Sequence, residues 1–170
     1  EPEIVDAYAF SYPTRLATFI DHMTLLGAPI ITPLAGLPDS SQKMLKAHSV
    51  FDFGLCIDDG PAGIYDTGCR LQEPMVAGYT IAMAMAGGAS EIMLAGFDGH
   101  GGDVVKIARV NRCLEQLRVC APEMNILSLT PCPYNVQNDS LYSPRWSQSG
   151  STYARKNHEA FNRHPRQVSI

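Results

Sequence analysis

The sequence lacks a hydrophobic run long enough to cross a membrane. Its longest apolar stretch, Pro74 to Ala89, has 16 residues and is interrupted by three glycines, whereas a membrane-spanning helix needs about 20 apolar residues. No basic and then apolar segment opens the chain, so a secretory signal peptide is not indicated. We therefore expect no membrane span.

Paired cysteine patterns are also missing. The five cysteines are odd in number and no two have CxxC spacing, whereas a disulfide framework in a short secreted chain uses an even number. The HExxH zinc motif is absent too, and no second group of ligand residues accompanies the histidines, so we predict no metal site. These absences favour free thiols and a cytoplasmic location, and the sequence identifies no cofactor.

Charge is sparse and unevenly placed. Charged residues make up 18% of the chain and the formal net charge is −4, which argues against general affinity for nucleic acid or an anionic membrane. Residues 151–170 carry a local charge of +3, whereas residues 1–150 carry −7. We predict one domain over 1–150 and a basic tail over 151–170. The tail is either a solvated terminus or an arm that packs on an acidic surface, a second subunit or a phosphorylated ligand.

Strand-like and helix-like segments alternate along the chain, which is typical of a parallel sheet covered by helices. The predicted strands are 4–10, 29–34, 50–57, 91–97 and 125–129, and the predicted helices are 14–26, 40–47, 73–88 and 103–121. The segment 61–72 is irregular or a short hairpin. The predicted fold class is α/β, a three-layer Rossmann-like parallel sheet of about five strands with flanking helices.

The loop 96–103 is the first candidate site, because it follows a core strand and has four glycines in seven positions. Glycine lets the backbone approach a ligand closely, and the N-terminus of the following helix offers N–H groups to an anion. Asp98 and His100 are candidate catalytic residues that could bind a hydroxyl group or act as a base. The alternative is that Asp98 caps the turn and His100 is merely exposed. The candidate ligand-binding glycines are Gly96, Gly99 and Gly101.

Two further loops carry polar candidates. Thr130 and Tyr134 follow the last predicted strand, and their alternative role is to shape a turn between prolines. Arg70 precedes the helix predicted over 73–88. It could hold a phosphate or carboxylate, or form a surface ion pair. Arg15 begins the first helix, where it binds a ligand or is simply a surface residue. Ligands of open α/β sheets bind beyond the carboxyl ends of the strands, where the loops after the later strands lie.

A family resemblance rests on these same residues. The run CRLQEPMVAGYTIAMAMAGGASEIMLAGFDGHGGD, at 69–103, and the run NILSLTPCPYNVQNDSLYSP, at 125–144, resemble the C-terminal region of HMG-CoA-lyase-like (DRE-TIM) aldolases of bacterial surface-polysaccharide metabolism. IVDAYAFSYPTRL, at 4–16, is similar to the segment in which those proteins present a strand followed by an arginine. The resemblance covers roughly 4–145. It implies a Rossmann-like fold and an upstream TIM-barrel domain that carries the metal ligands and catalytic residues.

A looser resemblance is to Rossmann-like bacterial sialyltransferases, which show an arginine-led helix of small residues and a strand followed by a GxD turn. The chain does not have their GNGPS-like nucleotide loop. Together the two resemblances imply a site near Arg70, Asp98, Gly99, His100, Thr130 and Tyr134.

Three functions follow as hypotheses. The leading one is an accessory ligand-binding or docking domain of an aldolase-like enzyme, whose ligand is a sugar, a keto acid or a nucleotide-sugar. The second is a glycosyltransferase that uses a nucleotide-activated sugar, with Asp98 or His100 as base and with Arg70 and Tyr134 on phosphate. The third is a structural or oligomerisation domain, and a homo-oligomer is left open in each case. Because the chain starts at Glu1 just before a strand-like run, we also expect it to be a piece of a longer protein.

Overall fold

The structure, a computed structural model, describes residues 5–140. Within them it confirms an α/β chain whose sheets are mostly parallel. The helices are α1 (Pro13–Leu26), α2 (Asp39–Leu45), α3 (Val76–Ala86) and α4 (Val104–Cys120). The strands are β1 (Tyr8–Ala9), β2 (Ile30–Thr32), β3 (Val50–Asp52), β4 (Gly54–Ile57), β5 (Gly63–Tyr65), β6 (Gly68–Leu71), β7 (Glu91–Leu94), β8 (Asn125–Ser128) and β9 (Gln137–Asn138). The predicted basic tail, and the predicted domain beyond Ser140, lie outside the described residues.

The strands form three sheets of three, in the orders β1-β2-β3, β4-β6-β5 and β7-β8-β9. Every pair is parallel except β5 with β6. The single five-stranded sheet predicted from the sequence is not among them. The first and second sheets are separate because the predicted strand 50–57 changes partner halfway. Val50 aligns with Ile30 of β2, whereas Gly54 aligns with Gly68 of β6.

The change of partner takes place at Phe53, which lies between β3 and β4 and is buried. The fully buried Tyr79 of α3 donates its hydroxyl hydrogen to the Phe53 carbonyl oxygen at 2.6 Å. The two rings pack at a centroid distance of 5.6 Å. Burial, and then the neighbouring Cys69 and Asp52, raise the pKa of the Tyr79 phenol above its usual value. This neutral hydrogen-bonded phenol therefore satisfies the backbone where the strand leaves one sheet for the next.

Two apolar clusters stabilise the described residues. The smaller cluster lies between the first sheet and the helices α1 and α2; its buried members are Leu16, Ile20, Ile30, Leu37, Leu45 and Val50. The larger cluster joins the strands of all three sheets to α3 and α4, and includes Ile31, Leu71, Tyr79, Leu114, Leu117 and Ile126. Because one cluster reaches all three sheets, they belong to one packed core.

The small residues of α3 bring it against α4 as well as against a strand. A β-carbon built on Gly78 would lie 2.1 Å from the Cys113 Sγ atom and 3.5 Å from the Leu71 Cδ1 atom. Gly78 is therefore required by the contact between α3 and α4. The methionines Met75, Met83 and Met85 pack against the larger core.

Several boundaries differ from the sequence prediction. Helix α2 begins at Asp39, one residue before the predicted start, and its cap position is Pro38, which makes no side-chain cap bond. The strand predicted over 4–10 is reduced to Tyr8–Ala9, and β9 was not predicted. A two-residue strand carries too short a pattern to be recognised in sequence, since its pairing with β8 is non-local. The hairpin alternative for 61–72 is confirmed by β5 and β6.

Candidate functional site

The loops after β7 and β8 meet above the carboxyl ends of two adjacent parallel strands. We define the glycine loop as residues 95–103 and the Thr-Pro loop as residues 129–136. The parallel register from Glu91↔Asn125 to Leu94↔Ser128 places the two loops at the same edge of their sheet. This is the edge at which α/β sheets bind ligands.

Direct contacts join the two loops. The Gly96 amide donates to the Thr130 Oγ1 atom at 3.1 Å, and the Leu129 amide donates to the Leu94 carbonyl oxygen at 2.8 Å. The Ser128 hydroxyl, which is fully buried, donates to the Thr130 carbonyl oxygen at 2.7 Å. Thr130 therefore takes part in two hydrogen bonds. Its Oγ1 atom accepts from the backbone of the glycine loop, and its carbonyl oxygen accepts from the Ser128 side chain.

The glycines of the glycine loop are required by its backbone. Gly96, Gly99, Gly101 and Gly102 have φ angles of 73°, 86°, 65° and 85°, in the left-handed region that other residues adopt at a cost. Gly99 has a second constraint, because a β-carbon there would lie 2.4 Å from the Pro133 Cγ atom. The glycine loop can thus lie directly on the Thr-Pro loop only where residue 99 has no side chain.

Tyr134 is the part of the Thr-Pro loop that packs into the protein. It is buried, and its ring meets that of Phe97 edge-on at a centroid distance of 6.2 Å. Burial, and then Cys132 and Asp98, raise the pKa of the Tyr134 phenol above its usual value. The phenol is therefore neutral at physiological pH. Its packing supports the loops, and its predicted contact with a ligand stays a prediction.

Helix α4 supports the Thr-Pro loop through two residues that the sequence analysis did not single out. The Asn135 amide donates to the Asn111 Oδ1 atom at 2.8 Å, and the Arg118 guanidinium donates to the Asn135 carbonyl oxygen. Asn111 and Arg118 are seven residues apart, or two helical turns, so they share one face of α4. That spacing of polar residues was the available sequence signal.

The N-terminus of α4 is occupied by its own cap. Asp103 accepts hydrogen bonds at Oδ1 from the amides of Val105 and Lys106, each at 3.1 Å. The Lys106 ammonium lies 3.3 Å from Asp103 Oδ2. The amide of Lys106, followed by its side chain, holds the pKa of Asp103 below its usual value. Asp103 therefore caps α4, and the expected supply of free N–H groups for an anion is wrong at these two amides.

Asp98 is exposed in the glycine loop. It is the last of the three causes that raise the pKa of the Tyr134 phenol, so the two loops lie close enough for their charges to interact. The His100 side chain lies outside the described part of the structure, and its catalytic role stays a prediction.

Arg70 belongs to the second sheet rather than to the two loops. It lies on β6 opposite Cys56 of β4, and its Nε atom is 3.3 Å from the Asp58 Oδ2 atom. That nitrogen is shielded from solvent without an aligned hydrogen bond, although the side chain is 39% exposed. Asp58, and then Tyr65, raise the pKa of the Arg70 guanidinium. This ion pair matches the alternative given for Arg70.

Arg15 is exposed on the first turn of α1, and no contact in the described residues joins it to the two loops. No group of three or more His, Cys, Asp or Glu residues within 5–140 could hold a metal ion. The five cysteines are free thiols. None of the helices in that range is long and apolar enough to span a membrane.

Comparison with protein-family models, with curated proteins and with solved structures gives no match to this chain.

Proposed function

We propose that the chain is an accessory ligand-binding domain of an aldolase-like enzyme in bacterial sugar or surface-polysaccharide metabolism. Its ligand, a sugar, a keto acid or a nucleotide-sugar, would lie on the glycine loop and the Thr-Pro loop. The supporting observation is the Gly96–Thr130 hydrogen bond at 3.1 Å, which joins the loops below the exposed Asp98. The aldolase part of the proposal rests on the sequence resemblance alone.

Several finer statements belong to the same proposal. The three sheets would act as one Rossmann-like layer, because only Phe53 separates β3 from β4. A TIM-barrel domain would precede the chain in the full-length protein, and the protein would be cytoplasmic. Docking against that barrel is the alternative use of the two loops.

The test is calorimetric titration of the chain with glucose, pyruvate and CMP-sialic acid, which represent the three ligand chemistries. At least one should bind, and Asp98→Asn should weaken its binding at least about tenfold, as expected for loss of one charged hydrogen bond. Asp66→Asn is the matched control, since Asp66 is an exposed carboxylate in the turn between β5 and β6. If no ligand binds, the structural or oligomerisation role replaces this proposal.

A transferase is the second candidate, and the half-exposed guanidinium of Arg70 is the observation that favours it. A transferase should bind CMP-sialic acid through Arg70. Arg70→Gln should therefore weaken the binding of CMP-sialic acid and leave the binding of glucose unchanged. Equal binding of CMP-sialic acid by Arg70→Gln and by the unmodified chain would exclude this function.

A further inference from the structure

The electrostatics of the two loops indicate which part of a ligand they accept. We propose that this site takes the uncharged, hydroxyl-bearing part of a ligand and rejects carboxylate and phosphate groups. The inference rests on the proposed function and narrows it, because sugars, keto acids and nucleotide-sugars differ in charge.

The first observation is that two of the hydrogen-bond donors at the helix terminus beside the site are in use. A free helix N-terminus attracts anions through its N–H groups and its dipole. Here the amides of Val105 and Lys106 both donate to the Asp103 carboxylate. A ligand anion would have to compete for these two amides with the Asp103 carboxylate, which the chain itself holds next to them.

The second observation concerns the positive side chains of α4. The Lys106 ammonium is paired with Asp103 at 3.3 Å. Farther along the helix, Arg109 lies 3.2 Å from Glu73. Arg118 reaches the Thr-Pro loop, donates to the Asn135 carbonyl oxygen and keeps its charge. Within the described residues, two of these three cations are therefore balanced by carboxylates.

The third observation is the charge of the loops themselves. Among their described side chains, the charged ones are Asp98 and Asp103. Because Asp103 is paired with Lys106 at 3.3 Å, the negative charge that a ligand meets is that of Asp98. Asp98 is exposed and accepts hydrogen bonds in its ionised form, as sugar hydroxyl groups require. Two unit charges of the same sign about 4 Å apart in water repel each other by about 1 kcal/mol, which is about a fivefold loss of affinity. The site is therefore suited to hydroxyl groups and unfavourable for acids.

Matched sugar pairs test the proposal. Glucose and glucuronate differ by one carboxylate, as do galactose and galacturonate, and each is titrated calorimetrically into the chain. The neutral member of a pair should bind at least about fivefold more tightly than the acid, and Asp98→Asn should narrow that gap. If an acid binds as tightly as its neutral partner or more tightly, the charge selectivity is wrong while the proposed ligand site stands. If neither pair nor the earlier panel binds, the proposed function fails, and the selectivity fails with it.

A second measurement tests the helix terminus without a sugar. Inorganic phosphate is titrated while the amide NMR signals of Val105 and Lys106 are followed. In the unmodified chain, the amide signals of Val105 and Lys106 should shift no more than the signals of other exposed amides. Asp103→Gly keeps a tolerated capping residue and removes the acceptor of both amides, so there phosphate should shift both signals. Glu115→Gln is the control, because it removes one negative charge at an exposed position of α4. It should behave as the unmodified chain does. Saturable shifts in the unmodified chain would overturn the proposal.

Discussion

The Gly96 amide donates a hydrogen bond to the Thr130 Oγ1 atom at 3.1 Å, across the gap between the loops that follow β7 and β8. The two residues lie 34 positions apart in sequence, and the parallel register of their strands brings them together. The candidate ligand site is thus a product of strand pairing, and changes that separate the loops should abolish binding even where no ligand contact is removed.

Gly99→Ala should separate the loops. The new β-carbon would lie 2.4 Å from the Pro133 Cγ atom at a φ of +86°, and such overpacking typically lowers the free energy of unfolding by about 1–3 kcal/mol. Gly102→Ala is the matched control, because its φ of +85° is nearly the same and nothing lies within 4 Å of its β-carbon. The difference between the two variants in denaturant unfolding measures the effect of the contact with Pro133. Equal losses in the free energy of unfolding would contradict that contact.

Gly78→Ala should destabilise the α3–α4 contact. Its β-carbon would lie 2.1 Å from the Cys113 Sγ atom, so we expect a loss of about 1–3 kcal/mol in the free energy of unfolding. Cys113→Ala removes that sulfur atom and should recover part of the loss in the double variant. Denaturant unfolding of the full double-mutant cycle measures the coupling. Strictly additive effects would show that the two residues do not touch.

Two buried hydroxyl groups should respond in opposite directions to their removal. The Thr32 side chain is fully buried and its Oγ1 atom has no hydrogen-bond partner among the described residues. Thr32→Val should therefore leave the free energy of unfolding unchanged or raise it, because no hydrogen bond is lost. Ser128→Ala breaks the bond to the Thr130 carbonyl oxygen and should lower it by about 1 kcal/mol. A large loss in Thr32→Val would mean that its hydroxyl group has a partner.

Thiol labelling should separate the cysteines by burial. Burial raises the pKa of Cys69 to about 12 and that of Cys113 to about 11, so at pH 8 both stay protonated and resist iodoacetamide. Cys56 and Cys120 are exposed and should react. Partial burial raises the pKa of Cys120, so Cys120 should react more slowly than a fully exposed thiol. Mass spectrometry of native and unfolded protein gives the order, and rapid native labelling of Cys69 would contradict the packing.

Acid should remove the contribution of the α4 cap. The pKa of Asp103 is lowered in the folded chain by the Lys106 amide and side chain. A carboxyl group with a lowered pKa stabilises the folded state above its unfolded pKa, about 3.9, and loses that effect as the pH falls through the folded value. The difference in Tm between the unmodified chain and Asp103→Ala should therefore be constant above about pH 5 and shrink below about pH 4. If the difference in Tm between the two chains is the same at pH 3 and at pH 7, the charge of Asp103 does not contribute to stability.

The sequence predicted most helices because their signals are local. Helix α1 follows the spacing of Leu16 and Ile20, and α4 begins after a capping aspartate, Asp103. The change of partner at Phe53 was not predictable, because an apolar run does not show which neighbour each half will meet.

The candidate site was predicted only in part for the same reason. The sequence shows that Thr130 follows a strand and that Gly96 lies at the end of one, and ligands bind at the carboxyl ends of parallel strands, which lie at one edge of the sheet. The position of Pro133 on Gly99 and the placement of Arg70 in another sheet depend on strand register. Register is set by packing between distant segments, which a single sequence does not display.

The central claim is that the glycine loop and the Thr-Pro loop together form the ligand site. Its most direct test is an amide chemical-shift map of the chain during titration with glucose and, separately, with CMP-sialic acid. The proposal predicts that the largest saturable shifts fall on the residues from Gly96 to Gly102 and from Thr130 to Asn135. Shifts confined to other residues, such as Arg70 and its neighbours, or no saturable shift with either compound, would contradict it.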